Sequence, residues 1–130
     1  MPVNIKIIPQ YCFNGCSALY SGNFSDSTSP EYYIDKAFAK IENIGTLAFT
    51  FVPIKDLKLS DATVTLGNRC FKNMSGLSSL TLGKNLSLST CGTELFAGNN
   101  GVQVYMPTVY NTADWTSKFL FEGDCTINLI

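Results

Sequence analysis

Leu66-Gly67-Asn68-Arg69-Cys70-Phe71-Lys72-Asn73-Met74-Ser75-Gly76-Leu77, continuing to Leu80-Thr81-Leu82, decides the architecture, because the chain repeats it. The stretches Tyr11-Cys12-Phe13 to Leu19 and Glu94-Leu95-Phe96 to Val102 share its plan: a small or apolar residue, a Phe, and an aliphatic six residues later. An internal repeat of this length is the signature of a solenoid, in which no unit buries its apolar side alone and stacking supplies a shared core.

With each Phe as origin, the unit of Phe71 has Leu66 five residues before it and Leu77, Leu80 and Leu82 after it. The unit of Phe13 has Ile8 five before, Leu19 six after and Phe24 eleven after. Around Phe49, Ile44 stands five before, and Ile54, Leu57 and Leu59 follow one residue early. Around Phe96, Cys91 stands five before, and Val102, Val104 and Met106 alternate directly. The alternation in Leu57-Lys58-Leu59 and Leu80-Thr81-Leu82 has period two and marks short strands. The Asn, Gly and Ser between Phe and Leu suit tight turns or a single helical turn. The expected fold is therefore mainly β with short helical turns, a solenoid of about four units with capped ends. Its expected core is Phe13, Phe49, Phe71, Phe96, Leu19, Leu77, Leu80 and Leu82.

The whole chain of 130 residues reads as one domain. Residues 1–8 form an N-terminal strand or cap, with Val3, Ile5 and Ile7 alternating. Residues 9–107 carry the repeats, and residues 108–130 form a C-terminal cap. The Phe spacings are 36, 22 and 25 residues, so the first interval holds an insertion near residues 25–43. Ser25-Asp26-Ser27-Thr28-Ser29-Pro30 is a loop by composition. Residues 32–41 are open between a helix through Ile34, Ala37, Phe38 and Ile41 and a degenerate repeat centred on Phe38. In the C-terminal cap, Thr108 is placed to start a short helix through Val109, Tyr110 and Ala113 up to Trp115, and Cys125, Ile127 and Leu129 alternate as a closing strand.

Composition excludes several functions. Nine basic residues against ten acidic ones leave a net charge of −1, without the basic field a nucleic-acid binder needs. No stretch approaches the roughly 20 apolar residues of a membrane span, and the N-terminus resembles no signal peptide. The five cysteines, Cys12, Cys16, Cys70, Cys91 and Cys125, are odd in number, which fits a closed disulfide framework poorly. There is no His, so Cys12-x-x-x-Cys16 has no second half-site for zinc, and Ser–His and Cys–His catalysis are ruled out. The carboxylates form no recognisable pair, and Gly98-Asn99-Asn100-Gly101 lacks the Lys of a phosphate loop. Neither a metal, a cofactor nor an enzymatic activity is expected.

The repeats resemble the BspA-type leucine-rich repeats, whose units run Ile-Gly-x-x-Ala-Phe-x-x-Cys-x-x-Leu-x-x-Ile-x-Ile. Leu66-Gly67-Asn68-Arg69-Cys70-Phe71 and Ile44-Gly45-Thr46-Leu47-Ala48-Phe49 carry that pattern, Cys16 holds its Cys position, and Val52, Met74 and Asn99 replace it elsewhere. The resemblance implies a cell-surface or secreted protein of gut bacteria or protozoa that adheres to a host or partner. A compact repeat protein without an export signal also suits a bacteriophage virion, as a capsid decoration, fibre or tail component in a multi-copy assembly. The partner is accordingly a protein or glycan surface, or other virion proteins. The residues between core aliphatics, Asn23, Lys58, Thr81 and Tyr105, with Gln103 beside the last, line up on the strands as one exposed row and form the expected contact surface.

Overall fold

The computed structural model describes residues 5–16, 40–74, 76–123 and 125–130. The chain coils repeatedly in one sense, and each circuit lays down two short parallel strands. Strands β1 (Ile7–Ile8), β2 (Asn43–Ile44) and β4 (Thr65–Leu66) form one sheet in the order β1-β2-β4. Strands β3 (Asp56–Lys58), β5 (Ser79–Thr81), β6 (Gln103–Met106) and β7 (Thr126–Leu129) form the other, in the order β3-β5-β6-β7. All pairings are parallel and in step with the repeat: Ile8↔Ile44↔Leu66 in the first sheet and Leu57↔Leu80↔Val104↔Ile127 in the second. The result is a β-solenoid of about four turns, in agreement with the fold read from the repeats.

Between the two sheets runs an arc centred on each Phe, and its backbone obeys a strict alternation. The N–H groups of Tyr11, Phe13 and Gly15 donate to the carbonyls of Thr46, Ala48 and Thr50 in the next coil. Those of Leu47, Phe49 and Phe51 reach Asn68, Cys70 and Lys72, and those of Arg69, Phe71 and Asn73 reach Thr93, Leu95 and Ala97. Intervening N–H groups close local turns instead, as Cys70 does to Gly67 and Lys72 to Arg69. The buried backbone thus finds partners without regular secondary structure. The arc forces left-handed φ at two fixed positions, two before and two after each Phe: Tyr11, Leu47, Arg69 and Glu94, then Gly15, Phe51, Asn73 and Gly98, with φ between 51° and 81°. Six of these eight are not glycine, so the ladder outweighs a strain of about 1–2 kcal/mol at each.

Glycine is obligatory elsewhere. Gly45 and Gly67, each four before its Phe, lie against the preceding coil so closely that a Cβ on either would stand 2.4 Å from a backbone nitrogen, that of Gln10 and Thr46 respectively. Gly92 repeats the approach over Asn68, whose Oδ1 accepts the Thr93 N–H at 2.9 Å.

Side chains stack into columns along the axis. Phe13, Phe49, Phe71, Phe96 and Phe121 form a ladder of near-parallel rings, with successive centroids 5.1, 5.6, 5.1 and 5.5 Å apart. Phe13 therefore stacks directly on Phe49 despite the spacing of 36 positions between them. Phe49, Phe71, Phe96 and Leu80 are fully buried, Leu77 and Leu82 nearly so, and Phe13 is half-buried at the first described coil. Leu19, Val3 and residues 25–39 of the insertion expected near 25–43 lie outside the described residues.

Three details depart from the sequence reading. In β1 Ile7, read with Val3 and Ile5 as one alternating apolar set, is exposed, while Ile8 enters the core in the column of Ile44 and Leu66 that its place in the repeat assigns it. Cys12 directly precedes its Phe, where the repeat wants a small buried side chain as at Cys70, yet it is exposed; among the described residues it has a coil on one side only. The C-terminal helix, α1, spans Thr112–Phe119, so its cap lies three residues later than the expected Thr108. Asn111 caps it, its Oδ1 accepting the Asp114 N–H. Thr108 instead donates its N–H and Oγ to the Ile130 carbonyl, and Tyr110 donates its hydroxyl to Gly83 and accepts the Leu86 N–H. Trp115 and Phe119 are the buried face of α1. The carbonyls of Lys118 and Phe119 accept the N–H groups of Leu95 and Phe96, so the helix end takes the place of a further arc.

Burial pushes the Cys70 thiol well above its ordinary value, with the neighbouring Cys91 adding to the rise. Burial likewise raises Cys91 and the Tyr110 hydroxyl. A group harder to deprotonate when folded stabilises the fold below its unfolded pKa, and that contribution is lost as pH rises toward the folded value.

Three expectations follow from this packing. Gly67→Ala is expected to destabilise by about 2–3 kcal/mol through backbone overlap, and Gly101→Ala, with open space around it, by only about 1 kcal/mol of left-handed strain; urea denaturation ranks the two. Folding stability is expected to fall as pH rises above about 8.5, where unfolded thiols ionise. In parallel, a thiol reagent is expected to modify exposed Cys12 and Cys16 in the native protein and buried Cys70 only after denaturation, which peptide mass mapping resolves.

Candidate functional site

The second sheet has two faces fixed by its register. Leu57, Leu80, Val104 and Ile127 point into the core, so their neighbours on each strand point out. Lys58, Thr81, Tyr105 and Asn128 are paired partners across the four strands and form one outward column. Asp56, Ser79, Gln103 and Thr126 form a second column beside it. Of the residues proposed from the sequence, Lys58, Thr81 and Tyr105 thus share a column, and Gln103 joins its neighbour. Asn23 lies outside the described residues.

Strand-to-strand spacing of about 4.8 Å sets the pitch of both columns. Lys58, Gln103 and Tyr105 are exposed and Thr81 is half-buried. Polar side chains are held across strands. Ser79 Oγ donates to Asp56 Oδ1 at 2.8 Å, and Asn128 Nδ2 donates to Gln103 Oε1 at 3.3 Å. A face built on paired strands and tied laterally presents its groups with little freedom left to lose on binding, which favours contact. Tyr105 supplies the aromatic area that interfaces favour.

Asp56, Ser79, Thr126 and Asn128 were not singled out from the sequence. The alternation through Cys125, Ile127 and Leu129 holds the signal that finds Thr126 and Asn128, which stand between those residues. Asp56 and Ser79 required the register, because each lies at a strand boundary where period two has only one core neighbour to anchor it.

A shallow groove of about 410 Å³ borders the face where the strands end, lined by Leu59, Asp61, Thr81, Leu82, Pro107 and Ile130 among others. Its floor is mostly aliphatic, and Asp61 is held at the rim by accepting the Lys84 N–H. Across the molecule, Asn99 lies buried under the Phe arc and donates from Nδ2 to the carbonyls of Phe71 and Phe96, joining two coils.

Among the described residues no three His, Cys, Asp or Glu side chains gather as a metal would need. The groups that burial shifts, Cys70, Cys91 and Tyr110, lie in the core and the cap, so none gives the face an acid or base. No helix among the described residues is long and apolar enough to cross a membrane.

Comparison with known proteins agrees with this architecture. Residues 1–126 match the model of the BspA type leucine rich repeat region in 6 copies. Searches of curated proteins and of solved structures found no match. Solenoids of leucine-rich repeats are typically non-catalytic and serve protein interaction, and on the strength of its repeats over nearly its whole length this chain belongs to the BspA-type leucine-rich repeat family.

Proposed function

We propose that the protein is a non-catalytic interaction module of the adhesive kind that its family implies, and that the outward face of the second sheet is its contact surface. The observation that carries this is the alignment of Lys58, Thr81, Tyr105 and Asn128 in one column, with the Asp56–Gln103 column beside it. These positions face away from the core, so the fold leaves their side chains open to choice. They carry one charge of each sign, amides, hydroxyls and an aromatic ring, which together suit a polar protein or glycan surface. The groove beside Pro107 adds an aliphatic margin to the same surface.

The test is a binding screen of the 130-residue chain against panels of host-surface glycans and proteins, followed by single substitutions on the best ligand. Tyr105→Ala is expected to weaken that ligand at least tenfold, as removal of a central aromatic anchor does. Lys58→Ala is expected to weaken it less and to reduce its salt dependence. Both variants should melt within a few degrees of the parent, since neither side chain is buried. A ligand whose affinity ignores both changes but falls with Phe51→Ala, on the Phe arc, would overturn the assignment of the face.

A further inference from the structure

The dipeptide Asn-Gly occurs twice in this chain, as Asn14-Gly15 and Asn100-Gly101. It is the pairing in which an asparagine side chain lies most open to attack by the backbone nitrogen that follows it, because glycine has no side chain to obstruct the approach and adopts the required dihedrals freely. The two copies sit in matching surroundings. All four residues are exposed. Both glycines are left-handed, with φ 76° and 69°, and a Cβ built on either meets nothing within 4 Å.

What separates them is one hydrogen bond. Gly15 belongs to the ladder of the Phe arc, and its N–H donates to the Thr50 carbonyl at 2.8 Å. Gly101 lies past the arc, where the chain crosses to β6, and among the described residues its N–H has no hydrogen-bond partner. The Asn100 carboxamide has none there either; its Oδ1 rests against Gly123 of the next coil, 3.0 Å from where a Cβ would stand. The chain is anchored on both sides of this pair. Asn99 before it is tied through Nδ2 to the carbonyls of Phe71 and Phe96, and Gln103 after it donates its N–H to Ser78 at 2.9 Å. Asn100 and Gly101 are the free span between those anchors.

We infer that Asn100-Gly101 is a site of spontaneous, non-enzymatic deamidation, and that the same dipeptide at Asn14-Gly15 is protected by its ladder bond. The reaction needs only water. The Gly101 amide gives its proton to solvent base, and its nitrogen attacks Asn100 Cγ. A C–N bond forms, the Cγ–Nδ2 bond breaks, and ammonia leaves with a proton taken from water. Water then opens the cyclic imide at one of its two carbonyls. Opening at the side-chain carbonyl leaves aspartate at position 100, and opening at the backbone carbonyl leaves isoaspartate. The sum is a carboxamide plus water giving a carboxylic acid plus ammonia. At Gly15 the first step is opposed twice: the proton is held by the Thr50 carbonyl, and the nitrogen turns toward Asn14 Cγ only after the coil opens locally. Conversion has a defined place in the fold. It sets a new negative charge at the Gly123 turn, beside Glu122, whose N–H donates to the Asn99 carbonyl at 2.9 Å. Isoaspartate also lengthens the main chain by one methylene just before β6 begins.

The experiment incubates the 130-residue chain at mildly alkaline pH and follows every Asn by peptide mass mapping, with enzymatic methylation of isoaspartate to mark that isomer. In the native protein Asn100 is expected to convert roughly tenfold faster than Asn14 or more, each event adding about one dalton. In denaturing urea the ladder is gone and the two rates should converge. Gly101→Ala, at a position with open space for a Cβ, should slow conversion of Asn100 by roughly tenfold. Equal native rates at the two sites, or faster conversion at Asn14, overturn the inference. So does an Asn100 that survives in the native protein as long as Asn85 or Asn128, each of which Leu follows. A gap that persists undiminished in urea overturns it as well, since the difference would then lie outside the ladder bond. The comparison of Asn100 with Asn14 needs no variant and decides the matter even if Gly101→Ala misfolds.

Discussion

Everything in this molecule depends on how closely one coil can approach the next. Parallel backbones must lie about 4.8 Å apart to share hydrogen bonds, and here that distance is kept on both sheets and on the Phe arc as well. Gly45, Gly67 and Gly92 permit it, because each stands where a single Cβ would strike the previous coil. Once the backbones are that close, the arc's N–H groups find carbonyls in register, and the Phe rings fall into a stack about 5 Å apart. The ring stack, at 5.1 to 5.6 Å, runs only slightly wider than the ladders, so small offsets of the rings reconcile the two.

That constraint also explains what looks like local strain. Leu47, Arg69 and Glu94 sit in left-handed conformations that side-chain-bearing residues avoid. Leu47 and Arg69 occupy the bend where the chain must turn while the N–H reaches across to the next coil, and after Glu94 it is the N–H of Leu95 that reaches across, to Lys118. Leaving such a donor buried and unbonded costs about 1–3 kcal/mol, comparable to the strain, and the column packing beneath favours the bend. Arg69 and Glu94 use the outcome further: stacked on adjacent coils, they form an ion pair on the surface. A pair this exposed contributes little to stability and follows from the repeat geometry.

The fold was legible because a repeat states its own register. A Phe at a fixed distance from flanking aliphatics identifies which positions must be equivalent, and equivalent positions in a solenoid stack. The columns of Ile44 and Leu66, of Phe49, Phe71 and Phe96, and of Leu57, Leu80 and Val104 could all be read this way. Legibility failed where the repeat stops. In the cap, Thr108 and Asn111 are both competent helix starts by residue type; what separates them is that the Ile130 carbonyl engages Thr108, a partner far along the chain. Cys12 and Cys70 have the same local context and opposite burial, which depends on what stacks above and below. The outward face was half legible: period two identifies Lys58, Thr81 and Tyr105, but Asp56 and Ser79 become neighbours only when β3 and β5 are laid side by side.

A stack of like coils also determines where specificity can reside. Core positions must repeat, since a column tolerates only residues that fit the one above and below. The outward columns are under no such demand. From Lys58 to Thr81 to Tyr105 to Asn128 the side chain changes in charge, size and hydrogen-bonding character at every step, while the core column behind it runs Leu57, Leu80, Val104, Ile127. Variation confined to one face of an otherwise repetitive object is what a scaffold with a recognition surface requires. The fold supplies the spacing and rigidity, and four consecutive strands supply four independent choices of contact.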